Sequence, residues 1–252
     1  MAKTIDILPA DHGKLLINAN FAEILCANKI MTAEDLWNFN SEPVKNKQKE
    51  RGTAKILLYN PSSGQKEEYF IKRYTSLPVK EYFKSFVGMK PVFAGGALHE
   101  WKAMIAFTEN QIPAPQPVAA GKLKQGTCVL SLGLKDTRRA SEIFSTVTPG
   151  ELRQTLVHKI AQLCAKMHSA NFAHQDFYLV HLFVGKNDNE VYIIDLQRVM
   201  MQKRLSERWR VKDLAQLHYS ACEYATENEI VEFWEIYSKI CGIEDNKANR
   251  LI

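Results

Sequence analysis

Two short stretches decide the fold of this chain: His174–Val184, which reads HQDFYLVHLFV, and Val191–Asp195, which reads VYIID. Asp176 follows His174 at the second position, inside a segment too aromatic for an ordinary surface loop. Asp195 comes nineteen residues after Asp176, at the end of an apolar run, where a charged side chain is uncommon and indicates a specific role. Two carboxylates delivered to one place indicate metal and phosphate chemistry, but one pair of acids does not by itself identify a reaction.

The composition is that of an ordinary globular protein with a large core or two lobes. The chain has 252 residues, of which 46% are hydrophobic and 24% are charged, and both fractions are usual. Lys and Arg (33) exceed Asp and Glu (28), which gives a formal net charge of +5. This modest excess suits an anionic substrate, an anionic membrane surface or nucleic acid, so the clustering of the basic residues is more informative than their sum.

The cysteines and the N-terminus indicate a cytoplasmic protein. The five cysteines are widely spaced and form no C-x-x-C pair, which argues against a zinc knuckle or a disulfide framework and for a reducing compartment. They are Cys26, Cys128, Cys164, Cys222 and Cys241. The N-terminus lacks the basic-then-apolar order of a signal peptide, and no run approaches the ~18 apolar residues of a membrane span. We expect a cytoplasmic chain, in free solution or peripheral to a membrane.

Hydrophobic patterning predicts strands first and helices later. Runs at 54–59 and 67–74 flank a Pro-Ser-Ser-Gly turn and predict a hairpin. Apolar residues at helical spacing predict a helix over 97–110, and a further strand is predicted at 126–132 after a Pro-rich connector. The later elements are predicted as a hairpin at about 181–195 and helices at 211–224 and 228–240.

Two helix starts carry the letters of a capping box, in which Ser or Thr is followed three residues later by Glu. The first is Thr148 with Glu151, strengthened by Pro149 at the first helical position. The second is Thr226 with Glu229. Both are predicted to begin helices.

Phosphoryl transfer from ATP needs few protein parts, and this sequence offers each in order. Lys72 lies in the alternating strand YFIKRY, and Glu100 on the following helix is placed to pair with it. Each residue alone is more often an ordinary solvated side chain. The segment ERGTAK, with Arg51 and Gly52, is predicted as a turn before the first strand that could lie over phosphates, but it lacks a full G-x-G-x-x-G.

The order of these residues is more informative than any one of them. Lys, then Glu, then His-x-Asp, then an Asp ending a strand is the catalytic set of a kinase. Lys72, Glu100, Asp176 and Asp195 follow that order at plausible spacing. The sequence therefore predicts a kinase-like site.

Four segments make the resemblance more specific: HQDFYLVHLFV, IIDLQRV, LHEWKAM and SERWRVKDLAQLHYS. They resemble the catalytic loop, the D-L-[HQ]-R metal-binding segment, the E-W helix and the R-W-R-x-K-D-L segment of the lipopolysaccharide core heptose kinase family (WaaP type), within the protein-kinase-like superfamily. The R-W-R-x-K-D-L segment is not general to protein kinases. The match covers about residues 45–225.

This resemblance implies an α+β, two-lobed protein-kinase-like fold with an antiparallel-sheet N-lobe and a helical C-lobe. Its implied domains are an N-terminal extension at 1–45, the N-lobe at 46–134 and the C-lobe at 135–252. The extension has no assigned role; it is expected to pack on the small lobe or lie on the membrane.

The resemblance also implies roles by position. Lys72 would contact the ATP phosphates and pair with Glu100, and backbone groups near Leu132–Leu134 would bind adenine. Asp176 would be the catalytic base, and Asp195 would bind Mg²⁺. A further residue, Asp213, would sit at the start of a helix beneath the catalytic loop and brace it.

Two positions depart from ordinary protein kinases. His181 stands five residues after the catalytic Asp, where a protein kinase has a metal-binding Asn; imidazole is a poor ligand for Mg²⁺, which prefers oxygen. The alternatives are one Mg²⁺ held at Asp195, a His181 that touches phosphate or neighbouring groups, or a packing histidine. Arg198 in DLQRV would neutralise an acceptor phosphate or carboxylate, or pair with an acidic neighbour.

Basic residues cluster after Asp195. They are Arg198, Lys203, Arg204, Arg208, Arg210 and Lys212. A charge run is usually a solvated face, but this one follows the metal-binding Asp, where the acceptor should approach, and guanidinium groups suit carboxylates and phosphates. We therefore assign Arg198, Arg208 and Arg210 to the acceptor, or to a membrane surface. No stacking aromatics or recognition motif indicate nucleic acid.

Three hypotheses follow. The first is an ATP- and Mg²⁺-dependent kinase of a heptose hydroxyl in the lipopolysaccharide inner core, working peripherally at the cytoplasmic face of the inner membrane. The second is a kinase of another acceptor, such as a Kdo sugar, an aminoglycoside-like molecule or a protein; a Kdo kinase is expected to keep Asn at position 181. The third is a non-catalytic ATP-binding scaffold. The resemblance adds acyl carrier protein, an acidic protein, as a partner.

Overall fold

The computed structural model describes residues 4–44, 51–75, 96–186 and 190–243. The chain divides into two compact units. The N-terminal unit comprises Met1–Glu109 and Pro115–Gly133, and the C-terminal unit comprises Asn110–Ala114 and Leu134–Ile252. The chain passes from one unit to the other at three points, and the last of them lies between Gly133 and Leu134.

The N-terminal unit is built on an antiparallel sheet. Its seven strands lie in the order β1-β2-β6-β7-β5-β4-β3. The strands are β1 (Ile7–Ala10), β2 (Leu15–Asn18), β3 (Glu42–Pro43), β4 (Arg51–Asn60), β5 (Gln65–Thr75), β6 (Pro117–Leu123) and β7 (Gly126–Leu132). The predicted hairpin is confirmed as β4 and β5, which pair from Arg51 opposite Tyr74 to Asn60 opposite Gln65.

Alternation along the hairpin builds the core of this unit. Ile56 and Leu58 on β4 and Tyr69 and Ile71 on β5 are buried, because side chains two apart share one face of a strand. Lys72, one residue after Ile71, is directed to the other face. The predicted helix is confirmed as α3 (Gly96–Glu109), which packs against β6 and β7.

Residues 7–38 are an integral part of the same sheet unit. Strand β2 pairs with β6, with Leu16 opposite Ala120. Helices α1 (Ala22–Ala27) and α2 (Ala33–Asn38) contact β4 and β6 respectively. The close approach of α2 requires small residues on β6, since a Cβ added at Gly121 would lie 3.4 Å from the Cβ of Ala33 and 2.9 Å from the Sγ of Cys128.

The C-terminal unit is mainly helical. Its helices are α4 (Ala140–Thr146), α5 (Glu151–Ser169), α6 (Glu207–Ala221) and α7 (Glu227–Cys241). Its strands are β8 (Thr137–Arg139), β9 (Phe172–Ala173), β10 (Leu182–Gly185), β11 (Val191–Ile193) and β12 (Met200–Met201). The predicted hairpin is confirmed as β10 and β11, which pair antiparallel with β8 beside β10, while β9 pairs with β12.

The two predicted capping boxes have different outcomes. Thr226 caps α7 through Glu229, and both reciprocal hydrogen bonds are present. The prediction at Thr148 is wrong: α5 begins at Glu151 after Gly150, which has no side-chain capping bond. Gly150 is extended, with φ 168° and ψ −167°, so Thr148 lies outside the helix and its hydroxyl is too early in the chain to serve as the cap.

Candidate active site

In the N-terminal unit, Lys72 and Glu100 form the predicted ion pair. The Nζ of Lys72 lies 2.5 Å from the Oε1 of Glu100, and their side chains are 17% and 5% exposed. The hydroxyl of Tyr74 donates to the Oε2 of Glu100 at 2.8 Å. Lys72 and Tyr74 share one face of β5, and a buried carboxylate needs such partners to offset its lost hydration. Glu100 therefore fixes the position of the Lys72 ammonium.

The predicted phosphate-covering turn is wrong in its position. Gly52 lies inside β4 opposite Arg73, and residues 45–50 before it lie outside the described residues. Arg51 and Gly52 are the first two residues of β4, so they belong to the hairpin and not to a turn before it.

The predicted adenine segment, Leu132–Leu134, lies at the passage between the units. The N–H of Leu132 donates to the carbonyl of Gln116 at 3.0 Å, and the N–H of Gly133 donates to the carbonyl of Glu68 at 2.8 Å. Both donors are thus engaged by backbone carbonyls of the N-terminal unit. An adenine contact would have to use other backbone groups of this segment.

In the C-terminal unit, the backbone around Asp176 is held by histidine side chains. The N–H of Asp176 donates to the Nδ1 of His174 at 3.3 Å. The carbonyl of Asp176 accepts from the Nδ1 of His181 at 2.8 Å and from the N–H of Tyr178 at 2.9 Å. Since a carbonyl only accepts, the Nδ1 of His181 carries a proton and donates it to this bond.

Asp213 braces the predicted catalytic loop, the segment that begins at His174 and carries Asp176, as expected, but from the interior of a helix. Helix α6 begins at Glu207, earlier than the predicted residue 211, so Asp213 is not at its start. Its carboxylate accepts the N–H of His174 on Oδ2 and the N–H of Gln175 on Oδ1, each at 2.7 Å. Each oxygen therefore fixes one amide just before Asp176.

Two further residues of α6 hold the same loop and were missed from the sequence. The side-chain amide of Gln216 bonds to the loop on either side of Asp176, and the hydroxyl of Ser220 accepts the N–H of Leu179 at 2.8 Å. With Asp213 they occupy positions i, i+3 and i+7, which share one helix face. This polar stripe in DLAQLHYS was the available signal.

His174 ties the catalytic loop to the segment that ends at Asp195. Its Nε2 donates to the carbonyl of Ile194 at 2.9 Å, while its Nδ1 accepts from Asp176. Burial lowers the pKa of His174, so the ring is neutral at pH 7 and its single proton is on Nε2. The histidine of His-x-Asp is therefore a connector between the two carboxylate-bearing segments.

A second buried histidine supports Asp213 from behind. The Nε2 of His168 lies 3.3 Å from the Oδ2 of Asp213, and its Nδ1 lies 2.7 Å from the hydroxyl of Tyr237. Burial lowers the pKa of His168 and raises that of Tyr237. The hydroxyl therefore stays protonated and donates to the neutral ring, which donates in turn to Asp213.

Asp195 follows β11 in an uncommon backbone conformation. It is left-handed, with φ 64° and ψ 55°, and Gln175, just before Asp176, is also left-handed with φ 66°. Asp tolerates this region better than most residues, and such conformations concentrate at functional sites. Both carboxylates of the predicted pair thus lie at or beside a left-handed residue.

Arg198 pairs with an acidic neighbour, and that neighbour is Asp176. Its Nη1 lies 2.9 Å from Oδ1 and 3.1 Å from Oδ2 of Asp176. The two side chains are 32% and 19% exposed, so the pair is only partly shielded from water. The side chain of Gln175 also donates to the carbonyl of Arg198 at 2.9 Å, which joins the turn after Asp195 to the catalytic loop.

The other two predicted acceptor residues have different surroundings. Arg208 is exposed and lies over the ring of Trp209, with its Cζ 5.4 Å from the centroid; the Nζ of Lys212 is 5.4 Å from the same ring. Burial raises the pKa values of Tyr237 and Cys241, and the charge of the half-buried Arg210 opposes that rise. Arg210 is thus less exposed than Arg208 and lies within electrostatic reach of α7.

The residues present fit a magnesium ion only with help from a substrate. Among the described residues no cluster of three His, Cys, Asp or Glu side chains could hold a metal. Mg²⁺ is commonly held by one or two carboxylates together with substrate phosphates, and the carboxylate of Asp195 meets that requirement. The imidazole of His181 is a poor ligand for this hard cation.

Comparison with known proteins shows that the chain is similar to lipopolysaccharide kinases. The chain is 26% identical to lipopolysaccharide core heptose(I) kinase WaaP of Escherichia coli (strain K12), over 80% of this chain and 82% of that protein. It is 29% identical to the heptose(I) kinase WaaP of Pseudomonas aeruginosa, over 67% and 69% of the two chains.

A solved structure shows the same fold at much lower identity. A structure of titin kinase and its flanking domains matches with a TM-score of 0.50 and 10% identity, covering 88% of this chain and 45% of that one. This likeness shows the fold alone, and it confirms a kinase-like α+β architecture. The profile described as the lipopolysaccharide kinase (Kdo/WaaP) family matches residues 34–237. The chain therefore belongs to the lipopolysaccharide kinase (Kdo/WaaP) family.

Proposed function

We propose that this chain is an ATP- and Mg²⁺-dependent kinase that phosphorylates a heptose hydroxyl of the lipopolysaccharide inner core. ATP use follows from membership in a kinase family. The observation that carries the proposal is Asp176 itself, whose carboxylate is paired with Arg198 on a loop held from two sides. A scaffold would need no such arrangement around a base.

The choice of heptose rests on the relatives and on His181. The two relatives above carry the name heptose(I) kinase. A Kdo kinase is expected to keep Asn at position 181, where this chain has His. Kdo remains the competing acceptor because the family includes both activities by name.

The N-terminal unit would supply the nucleotide contacts. Lys72 is held by Glu100, which is itself held by the hydroxyl of Tyr74. Lys72 would place its ammonium on the ATP phosphates. A cation held in this way needs no rearrangement when negative charge develops, which is how fixed charges accelerate phosphoryl transfer. Backbone groups of the 132–134 segment would bind adenine.

The C-terminal unit would supply the metal ligand and the base. Asp195 would hold Mg²⁺, with His181 as neighbour, and bound Mg²⁺ would neutralise phosphate charge. Asp176 would accept the proton of the attacking hydroxyl on one of its two oxygens. Each carboxylate oxygen has more than one acceptor site, so Asp176 can keep the Arg198 contact while it receives that proton.

Arg208 and its exposed neighbours Lys203 and Arg204 would meet the anionic acceptor. Inner-core sugars with carboxylates and phosphates suit guanidinium groups, which bind both in a forked geometry. None of the helices that the structure describes has the length and apolar character of a membrane span. Peripheral association with the inner membrane and binding of acyl carrier protein stay predictions.

Mass spectrometry of lipopolysaccharide from a strain lacking this gene tests the proposal. We expect loss of phosphate from an inner-core heptose, restored by the wild-type gene but not by Asp176→Asn. Unchanged heptose phosphate would refute the proposal. Loss of phosphate from Kdo instead would select the competing acceptor, and restoration by Asp176→Asn would favour the scaffold.

A further inference from the structure

Gln216 bridges the two peptide groups that flank Asp176. Its Oε1 accepts the N–H of Phe177 at 3.1 Å, and its Nε2 donates to the carbonyl of Gln175 at 2.9 Å. The same Nε2 lies 3.2 Å from the hydroxyl of Tyr178. The side-chain amide of Gln216 therefore contacts both peptide groups that flank Asp176. It binds the carbonyl of the preceding peptide group and the N–H of the following one.

These bonds complete the set around the base. The peptide groups flanking Asp176 carry two N–H groups and two carbonyls. His174 accepts one N–H, and His181 and the N–H of Tyr178 bond to one carbonyl; Gln216 takes the other N–H and the other carbonyl. With all four groups engaged, both dihedral angles of Asp176 are fixed, and so is the direction in which its side chain leaves the backbone.

The backbone here needs such support. Gln175 is left-handed, with φ 66°, a conformation that costs free energy and persists only where its surroundings impose it. Asp213 holds the N–H of Gln175 and Gln216 holds its carbonyl. Loss of Gln216 would free one side of this strained residue, next to the base.

We propose that Gln216 is a positioning residue that orients Asp176 for proton transfer; this inference rests on the proposed kinase function. Only a side chain that both donates and accepts can bridge a carbonyl and an N–H. Met is similar in length but can do neither well, and ionised Glu can accept but cannot donate. Protonated Glu can do both, so Glu should serve only at low pH.

The test compares Gln216→Met and Gln216→Glu with the wild type, using ATP and the core acceptor. A displacement of about 1 Å can cost about 10²-fold in rate, and we expect Gln216→Met to lower kcat by about tenfold or more with KM for ATP unchanged. For Gln216→Glu, the ratio of its kcat to that of the wild type should rise as the pH falls. If Gln216 had a merely structural role, the ratio of the two kcat values would not rise as the pH falls.

Tyr219→Ala is the matched control, because Tyr219 lies on the same helix and is 78% exposed; its kcat should equal that of the wild type. Amide hydrogen exchange gives a readout besides activity. In Gln216→Met the N–H of Phe177 should exchange faster, while that of Leu179, held by Ser220, should not change. An unchanged kcat, or unchanged exchange at Phe177, overturns the proposal.

The outcomes separate this inference from the proposed function. If the wild type phosphorylates another acceptor, the heptose proposal fails, and the same comparison on that acceptor still decides the role of Gln216. If the wild type phosphorylates heptose and both Gln216 variants are fully active, only the positioning role is refuted.

Discussion

Two Arg–carboxylate pairs in the C-terminal unit use the same chemical groups for different ends. Arg153 and Glu229 join α5 to α7 and are 4% and 9% exposed. Arg198 and Asp176 join the turn after Asp195 to the catalytic loop and are 32% and 19% exposed. The first pair is shielded from water, whereas the second is partly exposed to it.

The buried pair is satisfied on every donor. The guanidinium of Arg153 donates to both oxygens of Glu229 at 2.8 and 2.6 Å and to the carbonyls of Phe144, Val147 and Tyr224. Such a group has no capacity left for a ligand. In the other pair, Arg198 uses one nitrogen for both oxygens of Asp176, a geometry that orients the carboxylate without surrounding it. The buried pair stabilises the fold, whereas the partly exposed pair orients the carboxylate of the proposed base.

The largest expected effect is that of Asp176→Asn on turnover. General-base catalysis typically contributes about 10²–10⁴-fold, or roughly 3–5 kcal/mol of barrier, and kcat should fall by that factor. The free energy of unfolding should change by less than about 1 kcal/mol, because the pair is partly exposed. Steady-state kinetics and urea unfolding measure the two quantities. A kcat close to that of the wild type would remove Asp176 from the chemistry.

Arg153→Met should show the reverse, since it should lower mainly the free energy of unfolding and not kcat. Removing one partner of a buried pair leaves the other charge uncompensated and costs about 3–5 kcal/mol of unfolding free energy. Adding Glu229→Gln should recover part of this loss, although Glu229 also caps α7 through Thr226. Urea unfolding measures both. A loss of less than about 1 kcal/mol would mean that the buried pair contributes little to the free energy of unfolding, which would contradict the structural role assigned to it.

Arg198→Gln should have a smaller effect, and mainly on rate. A charge-assisted hydrogen bond contributes about 1.5–3 kcal/mol, and partial exposure reduces this, so we expect kcat to fall by about tenfold. Unfolding free energy should change by less than about 1 kcal/mol. Higher KM for the acceptor with unchanged kcat would instead assign Arg198 to acceptor binding alone.

The pH dependence of stability should separate the two regions further. Burial lowers the pKa values of His168 and His174 below their ordinary value, so below pH about 6.5 the unfolded chain takes up protons that the folded chain does not. Unfolding free energy should therefore fall as the pH drops through this range, by at most about 1.4 kcal/mol per pH unit for each histidine.

Glu229 should act at lower pH. Burial raises its pKa, but hydrogen bonds from Arg153 and Thr226 outweigh that effect and lower it below the ordinary 4.5. Its stabilisation is present above that value and is lost as the pH falls towards the lowered pKa. Urea midpoints between pH 8 and 3 test both ranges; in His168→Gln the slope near pH 6 should be shallower, and an unchanged slope would contradict the assignment to His168.

The sequence predicted the Lys72–Glu100 ion pair and most of the strands and helices, but not how those elements pack together. Lys72, Glu100, Asp176 and Asp195 follow the order expected of a kinase, which can be read along the chain, while the roles of Asp176 and Asp195 stay predictions. The pairing of β2 with β6 depends on residues about a hundred positions apart, and the small residues of β6 reveal their role only when α2 is packed on them. Such long-range packing leaves no periodicity in one sequence.

The missed details have the same origin. Thr148 and Glu151 match a capping box in letters, yet the extended conformation of Gly150 moves the helix start beyond reach of the hydroxyl. Gln216 looked like any polar residue on a helix. Its role depends on a catalytic loop about forty residues away in sequence, which only the tertiary structure brings to that helix face.

The most direct test of the account is phosphate transfer from ATP by the purified wild-type chain to two defined acceptors: lipid A carrying Kdo alone, and the same molecule extended by inner-core heptose. We predict that phosphate is transferred to the heptose-containing acceptor, is located on heptose by fragmentation, and is not transferred to the Kdo-only acceptor. Transfer to Kdo in both acceptors, or to neither, would contradict the account.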